Sequence, residues 1–212
     1  AAIISLLGRW IDEPRIASTL IAQLRNPHPL PREMAARALD PLVPTGRPDL
    51  LRALQAALED PSRNVRVAAG WALRRSLDPG TRAGREVRHY LDRNLDQPTG
   101  QLQFAVWLLS RQQPENAAQH LERAIAWDPN SAPLRHEHAI VLAQLGRNRE
   151  AIAELEVACR LEPTVGEYPF KLALGWNEVG DLRQAAAALE EAVRREPRHG
   201  RAWYNLGLAR DA

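Results

Sequence analysis

The feature that most constrains this chain of 212 residues is a constant spacing at which the same residue types recur. In the C-terminal half, four columns keep this spacing: Ala117, Ala151 and Ala185; Leu121, Leu155 and Leu189; Ala124, Ala158 and Ala192; and Pro129, Pro163 and Pro197. The spacing, hereafter the repeat length, is about 34 residues and is typical of solenoids, whose units are too small to bury a core alone. The period therefore predicts a stack of similar units.

Each C-terminal unit is predicted to be a hairpin of two helices. Apolar residues at helical spacing fill both segments of the unit. Gly146 and Gly180 supply the stop after the first helix, Asn148 and its equivalent Asp181 are predicted to cap the second, and Pro163 prevents its continuation. A single hairpin of this kind cannot bury both faces, so neighbouring hairpins must stack.

This unit resembles the tetratricopeptide repeat (TPR), whose signature places Trp, Leu-Gly and Tyr in the first helix, followed by Ala, Phe, Ala and Pro. Residues 98–131, 132–165 and 166–199 match three complete units, and residues 200–212 match the first helix of a fourth. Trp203, Leu206 and Gly207 agree directly with the signature. The departures are Gln101, Arg135 and Pro169 in place of the Trp, and His138 in place of a Leu.

The N-terminal third carries another repeat of the same length. The stretch that starts at Asn26-Pro27 parallels the stretch that starts at Asp60-Pro61, and both lead into an Ala-rich amphipathic segment. This pattern resembles HEAT-like repeats, in which an Asp and an Arg six residues apart bridge adjacent units. The resemblance implies this role for Asp60 and Arg66, and for Arg32 with the neutral Asn26. A basic ladder that binds a ligand is the alternative, but charge-assisted pairs suit the stacking of units and favour the structural role.

Three parts are predicted: HEAT-like repeats over residues 1–79 with the first unit incomplete, a connector helix within 80–97, and a TPR array over 98–212. The connector is expected from about Thr81 to Leu95, with an apolar stripe that covers the end of one array and the start of the other. A flexible linker is the alternative, which the stripe disfavours. The expected fold class is all-α, an α-solenoid built as a right-handed superhelix of helical hairpins.

The start of the chain is apolar. Solenoid ends normally carry polar capping elements, but no such element precedes Ile3, Ile4, Leu6, Leu7 and Trp10. We interpret the sequence as a piece of a longer polypeptide.

Motifs for catalysis are missing from the sequence. It has no Gly-rich phosphate loop, no Gly-x-Ser-x-Gly elbow and no His-Glu-x-x-His helix. The single cysteine, Cys159, excludes an internal disulfide and is predicted to be a packing residue. His138 lies in a core column and is predicted to be a hydrogen-bonded core histidine. We therefore predict no catalytic residue, cofactor or metal here, and no membrane span because no apolar run approaches about 18 residues.

The resemblance to TPRs implies a concave groove lined by the first helices. Its predicted residues are Leu102, Val106, His136, Ile140, Phe170, Leu174, Tyr204 and Leu208, with Lys171, Asn177 and Asn205 at a polar rim. They lack the Lys and Asn set with which TPR domains hold acidic C-terminal peptides. We expect an apolar occupant, either a peptide, an amphipathic helix, another part of the same polypeptide or a second copy. The alternative is that these residues only pack between neighbouring first helices.

A basic stretch lies within a chain whose formal net charge is only +2. Between Arg63 and Arg93 there are eight arginines against three acids. An alternative function is therefore a HEAT-like module that binds nucleic acid or acts as a lyase-type enzyme through this stretch. Aromatic residues are scarce there, and we do not expect nucleic acid as the partner.

The order of HEAT-like units, connector and TPRs resembles the C-terminal region of bacterial multihaem c-type cytochromes that carry TPR arrays. The motifs that carry this resemblance are Asn26-Pro-His-Pro-Leu with Arg32, and Asp60-Pro with Val65-Arg66. In that family the haems belong to an upstream domain with Cys-x-x-Cys-His motifs, none of which occurs here. The resemblance implies a non-enzymatic scaffold arm, haem c only in an upstream domain, and a periplasmic or other extracytoplasmic location.

Overall fold

The computed structural model describes residues 14–211, and this part of the chain is helical without a strand. It contains α1 (Pro14–Gln23), α2 (Pro29–Leu39), a 3-10 helix (Asp40–Thr45), α3 (Pro48–Ala57), α4 (Arg63–Ala72), α5 (Arg82–Asp92), α6 (Pro98–Ser110), α7 (Pro114–Trp127), α8 (Ala132–Gln144), α9 (Asn148–Leu161), α10 (Glu167–Glu178), α11 (Leu182–Arg195) and α12 (Gly200–Asp211). The all-α class of an α-solenoid is confirmed. The predicted uncapped start between Ile3 and Trp10 lies outside the described residues.

The first compact unit extends to Arg93 and the second begins at Asn94. In the first unit, the starts of α1, α3 and α5 are separated by one repeat length, and so are those of α2 and α4. The predicted connector helix is therefore α5, in the register of the first helix of a further HEAT-like unit. Thr81 caps it by accepting a hydrogen bond from the Gly84 amide at 3.1 Å, and the helix ends at Asp92, before Leu95.

Two arginines link successive HEAT-like units. Arg32 donates Nε and Nη2 to the Asp60 carboxylate at 2.7 and 2.9 Å, and its Nη1 to the Asn26 carbonyl at 2.7 Å. Arg66 donates Nε and Nη2 to Glu86 at 2.8 and 2.7 Å, and its Nη1 to the Asp60 carbonyl. The predicted structural role is confirmed, with one refinement. The Asp60 carboxylate pairs with Arg32 of the preceding unit, and the carboxylate that pairs with Arg66 is that of Glu86.

The second unit contains three helical hairpins, α6/α7, α8/α9 and α10/α11, followed by α12. The Ala and Leu columns of its second helices are buried, as predicted. Gly146 and Gly180 have φ values of +73° and +81° at the end of their first helices, which confirms them as stops. Gln112, one repeat before Gly146, adopts φ +59° at the equivalent place.

The caps of the second helices differ between hairpins. The Asp181 carboxylate accepts a hydrogen bond from the Gln184 amide at 3.0 Å and caps α11, as predicted. The prediction for Asn148 is wrong, because α9 already includes that residue and its N-cap is Arg147, which makes no side-chain capping bond. Arg147, not Asn148, lies one repeat before Asp181.

The residues that replace the signature Trp preserve its hydrogen bond. The Trp203 indole donates to the Pro197 carbonyl, six residues earlier, at 2.9 Å. Gln101 donates to the Leu95 carbonyl at 2.6 Å, and Arg135 donates to the Pro129 carbonyl at 3.0 Å. Each side chain therefore ties the start of its first helix to the preceding turn. Proline at the equivalent place in the third hairpin has no donor to do so.

The same two replacements also bind the second helix of their own hairpin. Arg135 Nη1 donates to Glu154 Oε2 at 2.7 Å, and Gln101 Oε1 lies 2.6 Å from His120 Nδ1. The two pairs have the same separation along the sequence. The third hairpin has Pro169 and Ala188 at these two positions. The pair is therefore polar in the first two hairpins and apolar in the third.

Candidate functional site

The predicted groove residues do not form one accessible surface. Five of them are half-buried, namely Leu102, Val106, His136, Ile140 and Leu174, and so is Lys171. Phe170 is completely buried, whereas Tyr204 and Leu208 on α12 are 70% and 54% exposed. Exposure along the groove columns therefore rises sharply at the last helix.

Phe170 is a correction to the predicted groove. Its ring centroid lies 4.6 Å from that of His199, and the Arg201 guanidinium carbon lies 5.0 Å from the ring centroid. Ala202 and Leu206 of α12 belong to the same buried cluster. Because α11 and α12 cover the ring, Phe170 cannot contact a partner, and the packing alternative is the correct one for this residue.

His136 also packs between first helices. Its ring centroid lies 5.3 Å from that of Tyr168 on α10. Burial, together with the neighbouring Glu162 carboxylate, raises the pKa of Tyr168 to about 12. The hydroxyl therefore stays neutral, and it donates to Glu162 Oε2 at 3.3 Å. This contact is structural.

Four of the predicted residues converge on one pocket. Leu174, Asn177, Asn205 and Leu208 line a cavity of about 200 Å³ flanked by α10, α11 and α12. Sequence reasoning missed Leu182, the exposed first residue of α11, which lines the same cavity. The equivalent residues of α9 and α7 are asparagine and proline, so a leucine at this position was the available signal.

The pocket is hereafter the α12 pocket. Among the side chains that the structure describes, its lining is apolar with two amide groups and no charged group. Asn205 Nδ2 donates to the Arg201 carbonyl at 3.0 Å, which leaves Oδ1 to accept a hydrogen bond from a ligand. Lys171 is engaged elsewhere, with Nζ 3.4 Å from Glu167 Oε1. The pocket therefore suits an apolar side chain flanked by peptide groups rather than a carboxylate.

A second, more open cleft of about 400 Å³ lies where α9, α10 and the start of α11 meet. Trp176 and Ile152 line it together with Val179, Arg149 and Asp181. Trp176 occupies the position of two buried leucines in the preceding hairpins, and it is only half-buried. The opposite charges at its rim do not favour a ligand of either sign.

The remaining candidates for chemistry have structural roles. Cys159 is half-buried against Ala158 and Tyr168, and burial raises the pKa of its thiol. Buried His138 lies with Nδ1 3.3 Å from Glu154 Oε1. Both packing predictions are confirmed. Among residues 14–211 no group of three or more His, Cys, Asp or Glu could hold a metal, and no helix there is long and apolar enough to cross a membrane.

Most arginines of the basic stretch are already engaged within the first unit. Ion pairs with carboxylates hold Arg66, Arg74, Arg82 and Arg88, and Arg85 donates to the Gly80 carbonyl. Arg63, Arg75 and Arg93 are exposed, as are the paired Arg82, Arg85 and Arg88. Neighbouring carboxylates therefore compensate part of the positive charge of the stretch.

Comparison with protein families agrees with the two kinds of repeat. The profile of the HEAT repeats matches residues 1–74 and 17–101, and that of the tetratricopeptide repeat matches residues 108–164. A search of curated proteins found no match.

Solved structures show the same fold at low sequence identity. A thermophilic TPR protein of Thermus thermophilus superposes with a TM-score of 0.60 at 19% identity, over 85% of this chain and 100% of that one. YrrB, described as a TPR protein with an unusual peptide-binding site, gives 0.54 at 16% identity, over 89% and 98%. The first TPR of Spaghetti, bound to the HSP90 peptide SRMEEVD, gives 0.52 at 14% identity, over 55% and 92%.

Proposed function

We propose that this chain, in which HEAT repeats are followed by tetratricopeptide repeats, is a non-enzymatic scaffold for protein–protein interaction. Its TPR unit docks an apolar segment of a partner protein in the α12 pocket. The observation that carries the proposal is the convergence of Leu174, Leu182 and Leu208 with the amides of Asn177 and Asn205.

Physical chemistry favours an apolar occupant over an acidic one. Burial of one leucine-sized side chain contributes about 2 kcal/mol, and the two amides can satisfy the peptide groups that the occupant would otherwise bury without partners. A carboxylate entering this pocket would be desolvated without a cation to compensate it. Peptide binding by YrrB and Spaghetti supports the class of partner, but the acidic tail of the HSP90 peptide is not the chemistry this pocket favours.

Selection of a displayed random-peptide library on the 212-residue chain tests the proposal. We expect enrichment of sequences rich in Leu, Ile or Phe. Their binding should fall at least tenfold with Leu182→Asp, an exposed position at which an acid also suits the helix start. The matched control is Val179→Asp, an exposed position that does not line the pocket. Enrichment of acidic C-termini, or binding indifferent to Leu182→Asp, would contradict the proposal.

We also propose, from sequence resemblance, that the scaffold is the helical arm of a multihaem c-type cytochrome outside the cytoplasm. No residue of this chain would bind haem in that arrangement. Sequencing the gene upstream of the codon for residue 1 tests it. Cys-x-x-Cys-His motifs and a secretion signal there would support the assignment, and an upstream region without them would refute it.

A further inference from the structure

The open cleft beside Trp176 continues into a second depression along the turn from α8 to α9. The residues that line the cleft are Arg149, Ile152, Trp176, Val179 and Asp181. The residues that line the depression, which has a volume of about 320 Å³, are Gly146, Arg147, Asn148, Arg149, Glu150 and Val179. Because Arg149 and Val179 belong to both, the two form one continuous surface, hereafter the Trp176 groove. A surface of this kind suits an extended chain better than a compact ligand.

The cleft depends on two residues of α10 that differ from their equivalents on α8. Gly175 and Trp176 lie one repeat after Val141 and Leu142, which are both buried to 1% exposure or less. The Ile152 side chain of α9 packs beside Gly175, where an added Cβ would lie 3.0 Å from the isoleucine Cγ1. Trp176, larger than the leucine of α8, is only half-buried and forms one wall of the cleft.

The groove lies between two hairpins that both have their neighbours in the array. Its walls are α9, α10 and the start of α11. Helix α8 packs against α9, and α12 packs against α11. A further unit stacks on the outer hairpin of an array and does not reach a boundary inside it. The opening is therefore a property of the boundary between the second and third hairpins.

Two charges at the cleft are available to a ligand. Arg149 is exposed, and within residues 14–211 its guanidinium has no ion pair or hydrogen bond. Asp181 accepts the Gln184 amide on Oδ1, which leaves Oδ2 for a ligand. In the smaller depression, Arg147 Nη2 lies 2.6 Å from Glu150 Oε2, so these two charges compensate each other. The cleft therefore offers one cation and one anion beside an apolar wall.

We propose that the Trp176 groove binds an extended segment of a partner protein, in which a large apolar residue has a basic residue on one side and an acidic residue on the other. The apolar side chain lies against Trp176, Ile152 and Val179. The basic residue pairs with Asp181, and the acidic residue pairs with Arg149. Tryptophan and arginine are residue types that often dominate binding energy, and complementary charges select the partner. This goes beyond docking in the α12 pocket, which lacks charged groups among its described side chains.

A second copy of the chain is a poorer occupant. Residues 14–211 are mostly helical, and the longest connection between their helices is residues 73–81. This connection contains Arg75, Leu77 and Asp78, which have the required order of base, apolar residue and acid. Leu77 is only 3% exposed, however, because it packs within its own unit. A segment of another protein that is not committed to a fold can place its apolar residue in the cleft.

A short peptide with this pattern provides a defined probe. The peptide Lys-Thr-Phe-Thr-Glu, blocked at both ends, has its Lys, Phe and Glu side chains on one face when extended. It is titrated into the ¹⁵N-labelled whole chain and followed by the Trp176 indole resonance, which is assigned by its loss in Trp176→Phe. We expect a saturable shift. Peptides with Ser in place of Phe, or with Gln in place of both charged residues, should bind at least about fivefold more weakly.

Charge reversal in the chain tests the pairing with the acidic residue. Arg149→Glu should weaken binding of this peptide at least about fivefold. It should also prefer the peptide with Lys in place of Glu, whereas the parent chain has the opposite preference. The matched control is Arg123→Glu, an exposed arginine of α7 outside the groove, which should bind within about twofold of the parent. An acid suits the start of α9, so circular dichroism should report unchanged folding of Arg149→Glu.

Two variants separate this inference from the function proposed for the α12 pocket. Val179→Asp should weaken binding of the charged peptide and spare the apolar peptides selected on the chain, and Leu182→Asp should do the reverse. An unshifted Trp176 resonance, or equal binding to Arg149→Glu and Arg123→Glu, overturns the inference about the Trp176 groove. The function proposed for the α12 pocket would stand if Leu182→Asp still weakened binding of the apolar peptides.

Two other results would assign the groove to a different occupant. A concentration-dependent shift of the Trp176 resonance without peptide, absent from Arg149→Glu, would assign it to a second copy. Loss of peptide binding when the complete product of the gene replaces the 212-residue chain would assign it to another segment of the same polypeptide. Either result overturns the assignment to a partner protein.

Discussion

Arg66 and Glu86 form a two-point ion pair that joins α4 to α5. The Nε–Oε2 and Nη2–Oε1 distances are 2.8 and 2.7 Å, and the arginine side chain is only 2% exposed. This geometry pairs two N–H donors of the guanidinium with the two acceptor oxygens of the carboxylate in one planar contact. The HEAT-like ladder begun by Arg32 therefore continues into α5, although the residue one repeat after Asp60 is Asn94.

Removing the carboxylate of this pair should destabilise the first unit. Glu86→Gln leaves the buried Arg66 charge without compensation, and we expect a loss of about 3 kcal/mol in the free energy of unfolding. Urea denaturation of the whole chain measures it. Asp92→Asn removes the partner of an exposed arginine and should cost less than about 0.5 kcal/mol. Equal losses in the free energy of unfolding would show that the buried pair contributes no more to stability than the exposed one.

The same pair should make stability depend on pH. The hydrogen bond from Arg66 holds the pKa of Glu86 below its ordinary value of 4.5. A carboxyl group with a lowered folded-state pKa adds stability that is fully present above its unfolded-state pKa and is lost as the pH falls through the folded value. The urea midpoints of the parent chain and Glu86→Gln should therefore converge as the pH is lowered from 6 to 3. A constant difference over that range would refute this.

Gln112→Gly should stabilise the second unit. A residue other than glycine at positive φ is strained by about 1 kcal/mol, and glycine at this place removes the strain. We expect a gain of roughly 0.5 to 1 kcal/mol by chemical denaturation. Gly146→Ala, at the equivalent place in the next hairpin, should lose a similar amount and serves as the reciprocal control.

Phe170→Ala and Tyr204→Ala should separate packing from exposure in one sequence column. Phe170 is buried among α10, α11 and α12, so its truncation should cost about 3 to 5 kcal/mol. Tyr204 is mostly exposed, and its truncation should change the stability by less than about 0.5 kcal/mol. Thermal unfolding followed by circular dichroism compares them. Similar losses would mean that the Tyr204 side chain is buried in solution, as the Phe170 side chain is.

The Arg135–Glu154 pair should be replaceable by Gln and His, the residues of the Gln101–His120 pair, only when both positions are changed together. In a double-mutant cycle, Arg135→Gln or Glu154→His alone should destabilise the chain by about 1 to 2 kcal/mol. The double variant recreates the pair of the preceding hairpin and should recover at least half of that loss. Additive losses in the double variant would show that the two positions are not coupled.

Much of the fold follows from local chemistry that a sequence displays. The repeat length locates the hairpins because the alanine contacts and the proline break recur in all three, and the glycine stop recurs in two of them. The prediction of an Asn148 cap is wrong by one residue because it pairs Asn148 with Asp181, whereas the residue one repeat before Asp181 is Arg147, which is the N-cap of α9. The pairing of Arg66 with Glu86 escapes prediction, because the expected pattern points to Asp60 and the true partner lies on the next helix.

The candidate site is less accessible to such reasoning. Phe170 and Tyr204 occupy one column, yet one is buried and the other exposed, since exposure depends on which helices follow in the stack. Leu182 lies outside the first-helix columns, so its place in the pocket follows only from the packing of α10, α11 and α12. The accessible surface of a side chain depends on the helices that pack against it, and the periodicity of the sequence does not specify those helices.

The equal length of the two kinds of repeat has a consequence for how such a chain can evolve. HEAT-like helices and TPR helices recur with the same period, so an insertion or deletion of one unit's worth of codons leaves every downstream stop, cap and core column in phase. Unequal recombination within the gene can therefore lengthen or shorten either array by whole units while the helices that follow keep their register. Natural selection can therefore act on the number of repeat units as well as on the sequence of each unit.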